Sequence, residues 1–187
     1  MHIALYGGSF NPPHIFHQMA CMYALSTSDV PIDEIWMIPC KDHPMGKNNI
    51  PFYHRFEMCK LAQRHLRETV KISDIESTLP GPSYTFNTVS KLSHMHPTYR
   101  FSFLLGSDAF QERKLWHHFD ELDQLVDWIV VPRQGTGSIE NFAFPNVSST
   151  QVRLLLQKGN PPHHLLDREV LRYIEHHQLY NPKAHLP

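Results

Sequence analysis

Ile3-Ala-Leu-Tyr6 runs directly into Gly7-Gly8-Ser9-Phe10-Asn-Pro-Pro and then into His14-Ile-Phe-His17. Strand-prone residues are followed by two glycines and a turn with two prolines. Beyond the turn, Ile15, Met19, Met22 and Leu25 recur at spacings of three and four, the stripe of a helix packed on a sheet. The stretch therefore reads as strand, tight turn and helix N-terminus. Such a junction offers backbone N–H groups and the positive end of a helix dipole, which together favour an anion such as phosphate. Gly7 and Gly8, lacking Cβ, let the backbone turn with φ > 0 or lie close to a ligand. His14 and His17 fall on one helical face, in the first turn. Cationic imidazoles there oppose the dipole, and a bound phosphate would reverse that sign. The alternative is that one histidine caps the turn while the other packs on Tyr6. A metal pair lacks a third ligand at a matching spacing.

From this junction the pattern repeats along the chain. Residues 34–38, 69–72, 100–105 and 127–131 are short apolar runs that read as buried strands. Between them lie helical patterns: one opened by Pro51 with a stripe of Phe52, Phe56, Cys59, Ala62 and Leu66, one over 83–92 and one over 115–125. Helices over 150–158 and 168–178 end the chain. Residues 40–49 and 79–82 are Pro/Gly-punctuated breaks, and 133–138 read as a mobile loop. Strands alternating with helices predict an α/β, Rossmann-like, doubly wound parallel sheet with helices on both faces, in one domain over 1–187 whose part from about 148 is helical. Ligands in such folds gather at the carboxyl ends of the strands, where strand order reverses.

Composition narrows the classes. A chain of 187 residues with formal net charge −1 suits one sizeable core and carries no general electrostatic case for nucleic acid or membrane partners. Cys21, Cys40 and Cys59 form no paired framework, which fits a reducing, cytoplasmic setting; Cys21 and Cys59 read as buried small hydrophobes. No signal peptide or long apolar run is present. The pairs His117-His118, His163-His164 and His176-His177 share no metal-site spacing and read as surface residues. Neither a dinucleotide fingerprint nor a P-loop occurs, which argues against a dehydrogenase or P-loop ATPase.

Val147-Ser-Ser-Thr-Gln-Val-Arg153 is a second helix start. Ser148 and Gln151 form a capping box. Arg153 then places a permanent cation in the first turns, against the dipole. An anion held by the Ser149 and Thr150 amides and the Arg153 fork would remove that conflict. Gly106-Ser-Asp108 ends the central strand, where Asp108 suits an N-cap.

The glycine-rich turn with His14-x-x-His17 resembles the nucleotidylyltransferase superfamily marked by His-x-Gly-His, and Ser148-Ser-Thr-x-x-Arg153 matches its second phosphate motif. Within that superfamily the chain resembles the bacterial nicotinate mononucleotide adenylyltransferases. Phe16 departs from the pattern by replacing a glycine, and Asn11 stands where many members carry Asp. The resemblance implies adenylyl transfer from ATP to nicotinate mononucleotide, giving deamido-NAD and pyrophosphate, with Mg²⁺ carried mainly on the ATP phosphates and no protein metal site. It implies His14, His17 and Arg153 as catalytic residues. Gly7, Gly8, Ser9, Phe10, Gly106, Asp108, Ser149 and Thr150 would contact ATP. Thr85 and Trp116 would hold the pyridine, with Arg133, in Arg133-Gln-Gly135, and Lys47, in His43-Pro-Met-Gly-Lys47, near the acceptor phosphate. Alternatives on the same scaffold are nicotinamide mononucleotide or phosphopantetheine as acceptor, or a nucleotide-binding regulator disabled by Phe16. For an active enzyme, Phe16 is expected to point away from the phosphates. Oligomeric state stays open.

Overall fold

The computed structural model describes residues 1–133 and 144–181. Gln134 and Gly135, and with them most of the expected mobile loop, lie outside the described residues. Five parallel strands form one sheet: β1 (His2–Gly8), β2 (Glu34–Pro39), β3 (Val70–Ile72), β4 (Arg100–Gly106) and β5 (Asp127–Val131), in the order β3-β2-β1-β4-β5. β1 is central because it is apolar on both faces, as a strand covered by helices on each side must be. Its register sets Leu5 beside Trp36 of β2 and Phe103 of β4. Strand order reverses between β1 and β4, so Gly8 and Gly106 end at the switch point, the place where ligands gather in such folds.

The period of two in β1 sorts the core. Ala4 and Tyr6 face a layer with Phe16, Met37, Met58, Val152 and Val170, whereas Ile3 and Leu5 face one with Val89, Leu92, Phe103 and Leu122. The first layer is covered by α1 (Ile15–Thr27), α2 (Phe52–Ala62), α7 (Ser149–Gln157) and α8 (Arg168–His176); the second is covered by α4 (Thr85–Met95) and α6 (Phe119–Asp123). Two short helices, α3 (Ile75–Thr78) and α5 (Ser107–Glu112), complete the set.

Several expectations are corrected. The buried face of α1 is Phe16, Ala20, Cys21 and Ala24, while Met22 is exposed. Small residues let the helix lie close on the sheet, and Ile15, Met19 and Leu25 are left on its margins. In α2 the buried stripe is Arg55, Met58, Cys59 and Ala62; Phe52 and Phe56 stack on each other at the side, and Leu66 falls in a separate 3-10 turn, Arg64–Leu66. The single helix expected over 115–125 is broken. A 3-10 turn ends at Leu115, Trp116 is extended, and His118 takes a left-handed φ of 53° before α6. The break turns Trp116 toward Phe103 and Trp128, at ring distances of 5.8 and 6.1 Å. α3 had no clear pattern in the sequence. All three cysteines are buried and free, and the six paired histidines are exposed.

Candidate active site

The turn after β1 is built around Phe10. This residue, not either glycine, takes the left-handed conformation, with φ of 45°. Its buried ring folds back over Gly8, where an added Cβ would come within 2.9 Å of it. Gly8 is thus needed for close approach rather than for its own dihedrals. The Phe10 ring packs edge-on against both Tyr6 and His17, at 5.4 and 4.9 Å.

His14 is the N-cap of α1, and its backbone N–H donates to His17 Nδ1 at 2.9 Å. That bond fixes the His17 tautomer: with Nδ1 accepting, the proton of the neutral ring sits on Nε2. The two imidazoles lie 3.9 Å apart, and His17 also lies 6.0 Å from the Tyr6 ring. Capping and packing on Tyr6 are therefore both the work of His17. The expectation of cationic imidazoles is corrected. Burial, helped by the charge of Arg133, lowers the His14 pKa to about 3. Burial, then His14 and Arg133, push that of the partly exposed His17 well below its usual range. Both rings are neutral at pH 7. His14 Nδ1 is buried and has no hydrogen-bond partner, an unmet need at the mouth of a helix dipole.

Phe16 does not lie between the histidines. Its ring is 6.4 Å from each of them and sits in the core against Phe144 at 6.0 Å. The Arg133 guanidinium lies over its face, 4.5 Å from the centroid. The aromatic ring thus forms a floor under Arg133.

The α7 start is tied to the same turn. Ser148 caps it by accepting from Gln151 N, Ser149 Oγ donates to Pro12 O at 2.9 Å, and Arg153 donates to Asn11 O at 2.7 Å and to Thr150 Oγ1 at 3.2 Å. Asn11 is held further by the Tyr180 hydroxyl, at 2.7 Å, and reaches Asn49 at 3.0 Å. Two helix N-termini are thereby fixed to one loop at the end of β1.

Asp108 is not an N-cap. Gly106 holds that position, and Asp108, in the first turn of α5, pairs with Arg133 at 2.6 Å. Arg133 also donates to Val147 O at 2.6 Å and to Asn146 at 3.3 Å. The pair lies across Gly106, whose added Cβ would meet Arg133 Cδ at 2.9 Å. Arg133 therefore stands with Asp108 and the approach to α7.

Thr85 opens α4 behind Tyr84, partly buried, and Trp116 is half-buried on the same side of the sheet. The Tyr84 ring packs against His117 at 4.3 Å, tilted by 33°. Lys47 is exposed on the 41–50 loop. Arg55 and Glu76 went unread in the sequence. Arg55 is 1 % exposed and donates to Ser9 O, Ile50 O and Lys41 O, while Glu76 accepts from Lys41 N. A charge on the apolar stripe of α2 was the available signal.

Among the described residues no group of three or more His, Cys, Asp or Glu could hold a metal ion, and the site's one carboxylate, Asp108, is paired with Arg133. Also among the described residues, no helix is long and apolar enough to cross a membrane.

Residues 5–155 match the family model described as Cytidylyltransferase-like, and this defines the class. A "Probable nicotinate-nucleotide adenylyltransferase" of Anaeromyxobacter dehalogenans (strain 2CP-C) is 42% identical over 182 residues, spanning 95% of this chain and 96% of its own. The "Nicotinate-nucleotide adenylyltransferase" of Bacillus subtilis (strain 168) is 32% identical over 190 residues, spanning 95% and 97%. In fold the chain is similar to the Plasmodium falciparum nicotinic acid mononucleotide adenylyltransferase complexed with NaAD, with TM-score 0.83 at 23% identity over 96% of this chain and 97% of that one. The chain belongs to the cytidylyltransferase-like family, and within it to the nicotinate-nucleotide adenylyltransferases.

Proposed function

We infer that the protein transfers AMP from ATP to nicotinate mononucleotide, releasing pyrophosphate and forming deamido-NAD, a step of NAD biosynthesis. One observation carries the reading: the N-termini of α1 and α7 are both fastened to the loop that ends β1 at the switch point. Two anion-favouring ends on one loop suit a polyphosphate rather than a single phosphate. The names of the relatives supply the acceptor.

The acceptor phosphate attacks the α-phosphorus of ATP in line. A new P–O bond forms, the bond to the bridging oxygen breaks, and pyrophosphate leaves with the electron pair. The attacking phosphate is already ionised near neutral pH, so no general base is needed. Catalysis is positioning and charge stabilisation. In this reading His17 acts as a neutral Nε2–H donor toward the transferring phosphate, and His14 completes its bonding there. The backbone of Gly7, Gly8, Ser9 and Phe10 lines the nucleotide, and Gly106 and Asp108 face the adenosine with Arg133 beside them. The Ser149 and Thr150 amides and Arg153 hold the pyrophosphate end. Thr85 and Trp116 receive the pyridine, and Lys47 lies on the loop facing the acceptor phosphate. Enzymes of this type use a divalent metal with ATP. Here Mg²⁺ would arrive bound to the phosphates, neutralising their charge, with water and phosphate oxygens as its ligands.

The test is product formation from ATP with nicotinate mononucleotide, nicotinamide mononucleotide or phosphopantetheine as acceptor, read by pyrophosphate release and by the mass of the adenylylated product. Deamido-NAD formed in equal amount to pyrophosphate, and fastest of the three, is expected. ATP binding without pyrophosphate release from any acceptor would overturn the reading.

A further inference from the structure

Two charged side chains lie buried between the substrate walls, and neither belongs to the machinery above. Arg55 projects from the buried stripe of α2 and donates three hydrogen bonds to backbone carbonyls. Nε donates to Ile50 O at 2.9 Å, one terminal nitrogen to Ser9 O at 2.9 Å, and the other to Lys41 O at 3.2 Å. Ser9 is in the turn after β1; Lys41 and Ile50 are the two ends of the loop after β2. Helix packing does not explain this choice, since Met58, Cys59 and Ala62 already seat α2. A buried cation is costly to desolvate, and an apolar residue could fill the same volume. An apolar residue could not tie both ends of one loop to a second loop, whereas the planar guanidinium fork can.

Glu76 closes the arrangement from the opposite side. It is 7 % exposed; Oε2 accepts from Lys41 N at 3.1 Å and Oε1 from Thr88 Oγ1, on α4, at 2.9 Å. Ser83 joins it, its hydroxyl accepting from Lys41 N at 2.9 Å and Asp42 N at 3.1 Å, and its own N–H donating to Asp42 O at 2.9 Å. Lys41 is thus gripped at both ends of its backbone, carbonyl by Arg55 and N–H by Glu76 and Ser83. A continuous chain of bonds leads from Ser9, through Arg55 and Lys41, to Ser83 and so to Thr85.

We propose that Arg55 and Glu76 are positioning residues that lock the wall of the acceptor site to the loop holding ATP, so that the two substrates are held in line. The proposal rests on the adenylyl-transfer reading above. Each substrate binds to its own wall, so loosening the lock costs little in binding. Transfer depends on the mutual placement of the walls, and a misplacement of about 1 Å can cost on the order of 10²-fold.

The variants are Arg55→Lys, Glu76→Gln and the double variant, with binding of a non-hydrolysable ATP analogue and of nicotinate mononucleotide measured separately from kcat. Each single variant should lower kcat by roughly 10–100-fold while both dissociation constants stay within about threefold. Because both residues act through Lys41, the double variant should fall no more than about threefold below the worse single one. Losses that multiply, or weakened binding with kcat retained, would overturn the proposal. A second arm needs no acceptor and stays readable if nicotinate mononucleotide is not the substrate. The ATP analogue should slow amide exchange at Lys41 and Asp42 by about tenfold in the wild type but not in Arg55→Lys; equal slowing in both contradicts the lock. If Arg55→Lys fails to fold, Glu76→Gln decides both arms alone.

Discussion

The starts of α1 and α7 offer the same backbone chemistry but opposite side-chain electrostatics. At α1 two imidazoles lie 3.9 Å apart and are neutral; His14 is 4 % exposed, with a ring nitrogen left without a partner, and His17 is half-buried. At α7 a permanent guanidinium stands partly exposed, its charge spent on Asn11 O and Thr150 Oγ1. A neutral donor adds little pull on ATP in the ground state and gains value as charge develops at the transferring phosphate. A standing cation attracts the polyphosphate from the outset. The contrast assigns chemistry mainly to α1 and binding mainly to α7.

The sharpest way to break the contrast is His17→Ala. Its kcat should drop by about 10²–10³, the scale for one preorganised donor, with ATP affinity changed by no more than about threefold. A folded variant with unchanged kcat ends the assignment. Arg153→Lys keeps the charge but loses the fork, and should weaken ATP binding by roughly 10-fold, the worth of one or two charge-assisted bonds. Wild-type affinity, by calorimetry, would show that charge alone suffices at α7.

Acid sensitivity probes the buried end. An unfolded histidine takes up a proton near pH 6.5, whereas folded His14 resists until about 3. Between these values the unfolded state binds more protons, so stability falls as the pH is lowered and is untouched above the window. Each pH unit costs up to about 1.4 kcal/mol per such group. Denaturant unfolding at pH 7.5 and 5.5 should show the loss, and His14→Gln should make it smaller; an equal loss in the variant means that His14 is not its source. The smallest effect is expected from Phe16→Leu. Removing the floor under Arg133 should cost about 1 kcal/mol in unfolding free energy and leave kcat within about twofold. A collapse of kcat would instead place Phe16 in the active site.

Sheet, strand order class and both helix starts were legible in the sequence because each depends on local signals: apolar runs, glycine turns and the Ser148 cap. What was not legible depends on tertiary contact. The α1 stripe was misread because Ala20, Cys21 and Ala24 carry little hydrophobic signal yet set the distance to the sheet. Trp116 leaves the helical pattern and packs on Phe103 and Trp128, contacts that local sequence does not carry. Asp108 looked like a cap until Arg133, 25 residues away, claimed it. Spacing alone made the histidines cations; burial makes them neutral, and only the bond from His14 N fixes which nitrogen of His17 keeps the proton.

That tautomer is the centre of the account, and kcat at saturating substrates as a function of pH tests it most directly. A neutral Nε2–H donor needs no further proton, so kcat should vary by less than about threefold between pH 7 and 9. A fall of about tenfold per pH unit in the wild type, absent from the residual activity of His17→Ala, would mean that the working form is the imidazolium and would contradict it.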